Sequence, residues 1–305
     1  MKNFSPLKKS PVLALSALLV FCGCVAIRIP ASKPAAQRVW VFSDMHAGNA
    51  TASAGGVDGS EWLRRACAEL KTNNIRMDYA LVLGDITKSG AAEELDSFLA
   101  VREQSGVATW FTLAGNHEYG KNGIREYEQK IRSSKPYCVV AGNIAWLMLS
   151  DEKPGVAGEL SDVTLSWLEQ KLTEHKDKII IVCSHQLVYG TVEGSTRNNL
   201  FLNPKEAVAS LLARHHVDVW LSGHVHHAPW TEASAAQKDG TWFINVSSMS
   251  YAYNTGESQS FVLEFTEGAR QITARRRVHD KQAYSDKGLI VVPLRHAIKL
   301  GKPCE

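Results

Sequence analysis

The stretch Arg38-Val39-Trp40-Val41-Phe42-Ser43-Asp44-Met45-His46 joins two kinds of text. Its first half is a β-branched and aromatic run about one strand long. Its second half sets a carboxylate and an imidazole where such a strand would leave its sheet. The same junction recurs four times. Asp78–Leu83 runs into Gly84-Asp85, and Ala108–Leu113 into Ala114-Gly115-Asn116-His117-Glu118. Lys178–Ser184 runs into His185, and Val217–Ser222 into Gly223-His224-Val225-His226. One more apolar run spans Tyr137–Leu149.

Helical patterns lie between several of these runs. Trp62, Leu63, Ala66, Cys67 and Leu70 share one face of a helix, and Leu165, Leu168 and Leu172 share another. Asn203, Pro204 and Glu206 supply a capping residue, a first-turn proline and an early acid, which predicts a helix from Pro204 to about Arg214. Strand–helix alternation of this kind makes an α/β domain with its functional loops at the carboxyl edges of the strands. Later runs at Thr241–Val246, Gln259–Phe265 and Gln271–Val278 are separated by turn-sized gaps and read as an antiparallel meander. Together they predict two sheets packed face to face.

If neighbouring strands are in register, the five polar clusters converge on one spot. Glycine precedes three of them, at Gly84, Gly115 and Gly223, where it is expected to let the chain turn sharply beside bulky ligands. Any single cluster could be a cap, a turn or a buried histidine. In H-V-H, alternate residues of an extended strand would present two imidazoles side by side.

The order D-x-H, G-D, G-N-H-E, H, G-H-x-H resembles the calcineurin-like metallophosphoesterases over about residues 38–250. The resemblance implies a four-layer α-β-β-α sandwich with two mixed β-sheets and a two-metal centre at the strand ends. By position, Asp44, His46 and His226 would hold one metal, Asn116, His185 and His224 the other, and Asp85 would bridge them. His117 matches the histidine that acts on the leaving group or the transition-state charge, and Glu118 stands where many members have an Asp to orient it. A shared carboxylate supplies the negative charge that two dications about 3.5–4 Å apart require. Histidine, amide and carboxylate donors without thiolates favour Mn, Fe or Zn over Ca or a dedicated Mg cage. Such a pair lowers the pKa of a shared water toward ~7, making hydroxide available for in-line attack on a phosphomonoester or small phosphodiester.

Departures from the pattern narrow the branch. The arginines with which protein Ser/Thr phosphatases grip phosphate are missing from G-D-I-T-K-S-G and L-A-G-N-H-E. Lys88 stands where purple acid phosphatases have a metal-binding tyrosine. The helix text Val163–Leu172, with its W-L-E, resembles the purple-acid and cyclic-nucleotide phosphodiesterase-like branches. Loops Gly48–Ser60 and Gln186–Asn203 flank the motifs and are the expected substrate-selecting walls.

The chain has 305 residues, 45% of them hydrophobic and 21% charged, which excludes a disordered chain. The net charge of +3 comes from Lys2, Lys8 and Lys9, because without residues 1–23 there are 31 basic and 31 acidic side chains. No surface for duplex nucleic acid is expected, which argues against a nuclease. A noncatalytic scaffold of the same fold is the other alternative. The basic start, the apolar stretch Pro11–Phe21 and Phe21-Cys22-Gly23-Cys24 read as an export leader over residues 1–23. That last segment resembles a bacterial lipobox, with Phe21 where Leu is usual. Lipidation of Cys24, plain cleavage and an uncleaved anchor all place the folded part outside the cytoplasm, in the cell envelope or secreted. Residues 24–37 then form a tether, 38–280 the phosphoesterase domain and 281–305 a C-terminal tail. Cys67, Cys138, Cys183 and Cys304 show no metal-binding spacing; Cys67, Cys138 and Cys183 read as buried structural thiols, with a disulfide the alternative in an exported protein.

Overall fold

Strand β1 (Ala36–Phe42) sends Val39 and Val41 into one core and Trp40 and Phe42 into another. Strand β2 (Tyr79–Leu83) does the same with Tyr79, Leu81 and Leu83 against Ala80 and Val82. A strand covered on both faces reads as a continuous apolar run, which is why these segments stand out in the sequence. The computed structural model describes residues 1, 35–51, 56–120, 123–153, 155–228, 231–250 and 256–305. The expected leader apart from Met1, and most of the tether, lie outside them. Every helix and strand of the described residues belongs to the unit Pro34–Glu305.

One mixed sheet of six strands has the order β12 (Ala283–Pro293), β11 (Gln271–Val278), β10 (Gln259–Thr266), β1, β2, β3 (Trp110–Leu113). Strands β1, β2 and β3 are parallel, and β10 to β12 are antiparallel to their neighbours. A second mixed sheet of seven has the order β13 (Pro303–Cys304), β4 (Tyr137–Ala141), β5 (Ile144–Leu149), β6 (Ile179–Ser184), β7 (Val219–Ser222), β9 (Thr241–Asn245), β8 (Ala235–Lys238). Strands β5, β6, β7 and β9 run parallel. The facing sides of the two sheets share one apolar core. Helices α1 (Gly59–Thr72), α2 (Ala92–Gln104) and α3 (Arg125–Lys130) cover the outside of the six-stranded sheet through Leu63, Leu70, Phe98 and Tyr127. Helices α4 (Asp162–Glu174) and α5 (Lys205–Arg214) cover the other through Leu168, Leu172 and Leu211. The result is the expected four-layer α-β-β-α sandwich.

Four details differ from the sequence reading. The run Tyr137–Leu149 is a hairpin, broken where Gly142 takes φ 61°. The expected meander is split between the sheets. Strand β9 lies parallel to β7, whereas β10 and β11 continue into β12, because apolar spacing reports strands but not their partners. Pro204 caps α5 rather than occupying its first turn. Residues 281–305 supply an edge strand to each sheet instead of trailing from the domain.

A buried ionic cluster ties α1 to the six-stranded sheet. The Glu69 carboxylate accepts from Arg277, from His279 Nδ1 at 2.9 Å and from Asn73 Nδ2 at 2.9 Å. All three of Glu69, Arg277 and His279 are under 9% exposed. Burial pushes the Glu69 pKa up, but His279 and Arg277 outweigh it and hold the group below the usual carboxylate range. Its contribution to stability is therefore present above the unfolded carboxyl pKa and is lost as pH falls through the lowered folded value. Glu69→Ala leaves a buried guanidinium unpaired, and urea unfolding at pH 7 is expected to show a loss of about 3–5 kcal/mol. A loss below ~1 kcal/mol would mean that the cluster is solvated.

Candidate metal centre

Each parallel strand delivers its polar cluster to the same edge. Asp44 and His46 follow β1, Asp85 follows β2, Asn116 to Glu118 form a 3-10 turn after β3, His185 follows β6, and His224 and His226 follow β7. Their backbones are unusual. Asp44 (φ 56°), His46 (52°), Asp85 (51°), His224 (69°) and His226 (47°) all sit in the left-handed region, which non-glycine residues seldom occupy. Neighbouring loops hold them there through Asp44 N–H to Gly84 O (3.1 Å), His46 N–H to Asp85 O (3.0 Å) and Gly223 N–H to His185 O (2.9 Å). Strain concentrated in donor residues points to a function for the edge. The H-V-H imidazoles are consequently not an extended pair. They turn toward different partners.

Two of the glycines also act differently from expectation. Gly84 does take a positive φ, 86°. Gly115 and Gly223 do not, and they are needed for close approach instead. A Cβ at Gly115 would lie 2.4 Å from Asp85 Oδ1, and one at Gly223 would lie 1.9 Å from Ser43 Oγ.

The side chains gather in two adjoining sets. In the first, His226 Nε2 lies 2.8 Å from Asp44 Oδ1 and 3.2 Å from His46 Nε2. In the second, His185 Nε2 lies 3.1 Å from Asp85 Oδ2 and 3.2 Å from His224 Nδ1. Asp85 Oδ2 also lies 3.9 Å from His46 Nε2 and 3.9 Å from His117 Nε2, so Asp85 adjoins both sets. Carbonyl oxygens on the far side of several rings fix which nitrogen faces inward: Leu83 O at 2.7 Å from His185 Nδ1, Asn199 O at 3.1 Å from His224 Nε2 and Thr87 O at 3.4 Å from His46 Nδ1.

These residues fit metal ions. Two imidazole nitrogens aimed at each other cannot both donate, and 3.2 Å is close to the ~3.3 Å edge of a tetrahedron with metal–nitrogen bonds of ~2.0–2.1 Å. Burial pushes His46 down to about 3 and His224 down to about 4, which leaves both rings as neutral lone-pair donors. Burial opposes ionisation of Asp44 and Asp85 as well, but the neighbouring imidazoles prevail and hold both carboxyls below their ordinary range. Burial likewise disfavours a charged His185, yet contact with Asp85 raises its pKa well above the usual value. The pocket therefore attracts positive charge, and a cation would displace that proton.

Residues 37–228 match the calcineurin-like phosphoesterase family. The chain belongs to that family. Among curated relatives, a probable glycerophosphodiester phosphodiesterase GpdQ of Arcobacter nitrofigilis is 28% identical over 171 residues, covering 53% of this chain and 62% of the relative. Among solved structures, purple acid phosphatase PPD1 from yellow lupin (Lupinus luteus) seeds superposes with a TM-score of 0.60 at 14% identity, covering 86% of this chain and 54% of that one. GAP50, described as the anchor in the inner membrane complex of Plasmodium, gives 0.58 at 14% identity, covering 88% and 90%. At that identity the likeness is one of fold.

The structure brings together Asp44, His46, Asp85, His117, His185, His224 and His226, and sets the Asn116 oxygen 3.3 Å from Nε2 of Gln186, the residue after His185. The His117 side chain is more open than those of His46 and His185, at 28% exposure against 3% and 0%, and its Nδ1–H donates to Lys88 O at 2.7 Å. That bond leaves Nε2 free on the open side. Glu118 does not orient His117. Its buried carboxylate is occupied by Asp85 N–H (2.9 Å), Thr87 N–H (2.9 Å), Thr87 Oγ1 (2.9 Å) and Gly115 N–H (2.7 Å), so it pins the β2 and β3 loops together. Burial together with Asp85 pushes it up to about 8.

Two residues escape the sequence reading. Asp151, just past β5, and Gln186, next to His185, are both buried at this edge, and Gln186 Nε2 reaches Asp151 Oδ2 at 2.7 Å and Asn116 Oδ1 at 3.3 Å. A lone Asp after an apolar run has the signature of a turn, and Gln carries none. His227 is buried, with Nε2–H donating to Glu193 O at 2.9 Å. Together with His224, Glu193, Arg197 and Leu200 it lines a cavity of about 280 Å³ beneath the 186–203 loop.

Proposed function

We propose that this protein is a two-metal phosphoester hydrolase acting on a phosphomonoester or a small phosphodiester. The supporting observation is the position of Asp85 between two donor sets, with His117 on their open side. Asp44, His46 and His226 would hold one metal, Asn116, His185 and His224 the other, and Asp85 both. Mn, Fe and Zn suit the donors. The bound metals would supply Lewis-acid neutralisation of phosphoryl charge and a water of lowered pKa. This chain's own part is orientation and proton transfer. Lys88 O keeps the His117 proton on Nδ1, so Nε2 is the atom that can carry a second proton to the departing oxygen. Asp44 and Asp85 keep local charge negative without solvent, and the 186–203 loop packs Asn199 O against His224 and walls the approach.

The curated relative's name favours a small glycerol-containing diester. Balanced charge outside the leader speaks against duplex nucleic acid. A scaffold role, which the description of GAP50 brings to mind, would not need the full donor set kept here. Metal-replete protein should hydrolyse p-nitrophenyl phosphate or its bis ester, lose activity with a chelator and regain it with Mn or Zn. Two bound metals with no turnover of any phosphoester would favour the scaffold.

Export is part of the same proposal. It rests on Lys2, Lys8 and Lys9 ahead of the apolar Pro11–Phe21 stretch, with lipidation at Cys24 as one route. Among the described residues no helix is long and apolar enough to cross a membrane. Cys24→Ser should alter processing and membrane retention. Unchanged processing would leave cleavage without lipid, or an anchor.

A further inference from the structure

Asn116 is the most weakly directed donor at this centre. It is a neutral amide whose oxygen and nitrogen exchange places by a half-turn of the side chain, so its neighbours decide which atom faces a metal. Gln186 stands beside it, with Nε2 3.3 Å from Asn116 Oδ1 and 2.7 Å from Asp151 Oδ2. One amide nitrogen carries two N–H donors, enough for both acceptors. Reversing the Gln186 amide would set its oxygen against the Asn116 oxygen, and against Asp151 wherever that carboxyl, which burial pushes up to about 7, is ionised. Its orientation is thereby determined, and that of Asn116 follows from it.

Gln186 is enclosed as well, and its backbone is held. It is fully buried, its backbone oxygen accepts from Ser184 Oγ at 2.7 Å, and a Cβ at Gly158 would come within 3.1 Å of its Cγ. Asp151 in turn is stapled to the Asn116 loop on both sides. Asp151 N–H donates to Ala114 O at 2.9 Å, Ser150 Oγ accepts from Ala114 N–H at 2.9 Å, and Tyr119 Oη–H donates to Asp151 O at 2.6 Å. The chain of contacts thus joins the exits of β3, β5 and β6. The set Asp44, His46 and His226 comes from the exits of β1 and β7.

We infer that Asp151 and Gln186 are positioning residues that aim the Asn116 oxygen and so set the affinity of the metal position formed by Asp85, Asn116, His185 and His224, separately from the position formed by Asp44, His46 and His226. This rests on the two-metal reading of the site. Groups that orient a ligand typically change metal affinity by about 10–100-fold when removed.

The test is stepwise Zn or Mn titration of the metal-stripped full chain by calorimetry, with bound metal counted by mass spectrometry, for wild type, Gln186→Leu and Tyr119→Phe. In Gln186→Leu one binding step should weaken by about 10–100-fold while the other stays within about threefold, and millimolar metal should restore kcat. Tyr119→Phe should shift the same step in the same direction by a smaller factor, and it decides the matter if Gln186→Leu does not fold. Wild-type affinities in folded variants, or equal weakening of both steps, would overturn the inference while leaving hydrolysis intact. Selective weakening in a protein that hydrolyses nothing would support the inference and overturn the catalytic reading. A wild-type chain that takes up fewer than two metals would overturn both.

Discussion

Asp85→Asn is expected to lower kcat/KM for any phosphoester substrate by at least ~10³-fold, on the order of 4 kcal/mol of lost transition-state stabilisation, and to weaken both metals together. The amide keeps the shape of the carboxylate, and its oxygen can still accept from His117 N–H, which now lies 2.9 Å from Asp85 Oδ1. It lacks the charge. Two bound dications would then repel each other without a carboxylate between them, and His185 and His46 would lose the carboxylate that each approaches, at 3.1 and 3.9 Å. Metal counting and steady-state kinetics on the folded variant check the result. Full activity with both metals retained would mean that Asp85 is not shared.

His117→Ala is the second large effect, and it separates proton transfer from metal binding. His117 lies 3.9 Å from Asp85 Oδ2 through Nε2, while Nδ1 is committed to Lys88 O. Its removal should leave metal content near wild type and lower kcat by about 10²–10⁴-fold. The loss should be smaller for p-nitrophenyl esters, whose leaving group needs little help, than for alkyl esters. An unchanged rate on alkyl esters would remove His117 from the reaction.

Much of this site is legible in the sequence for a simple reason. Strands buried on both faces leave uninterrupted apolar runs, and a polar cluster ending such a run can only sit at a sheet edge. That logic, together with the family pattern, singles out Asp44, His46, Asp85, Asn116, His117, His185, His224 and His226; the structure places the seven acids and imidazoles within reach of one another, and sets the Asn116 oxygen against Gln186, the neighbour of His185. Spacing does not encode which sheet a strand joins, so β9 reads as a neighbour of β10 when it pairs with β7. Nor does it encode backbone handedness. His224 and His226 read as extended neighbours, but positive φ values turn them toward separate sets. Analogy assigns Glu118 to the ring of His117, whereas its extra methylene group over Asp accompanies a carboxylate bonded to the backbones of Asp85, Thr87 and Gly115. Asp151 and Gln186 are illegible because their role depends on three strand exits meeting, a fact of tertiary structure alone. The leader is a separate matter, resting on residues outside those described.

The most direct test of the central claim is a crystal structure of the Zn- or Mn-loaded protein with anomalous scattering measured at the metal edge. The account predicts two peaks at the carboxyl edge of the sheets, each about 2.0–2.2 Å from an Asp85 oxygen for Zn. One peak held by Asp44, His46 and His226 as its neighbours and the other by Asn116, His185 and His224 would complete the assignment. A single peak, or two that do not share Asp85, would contradict it.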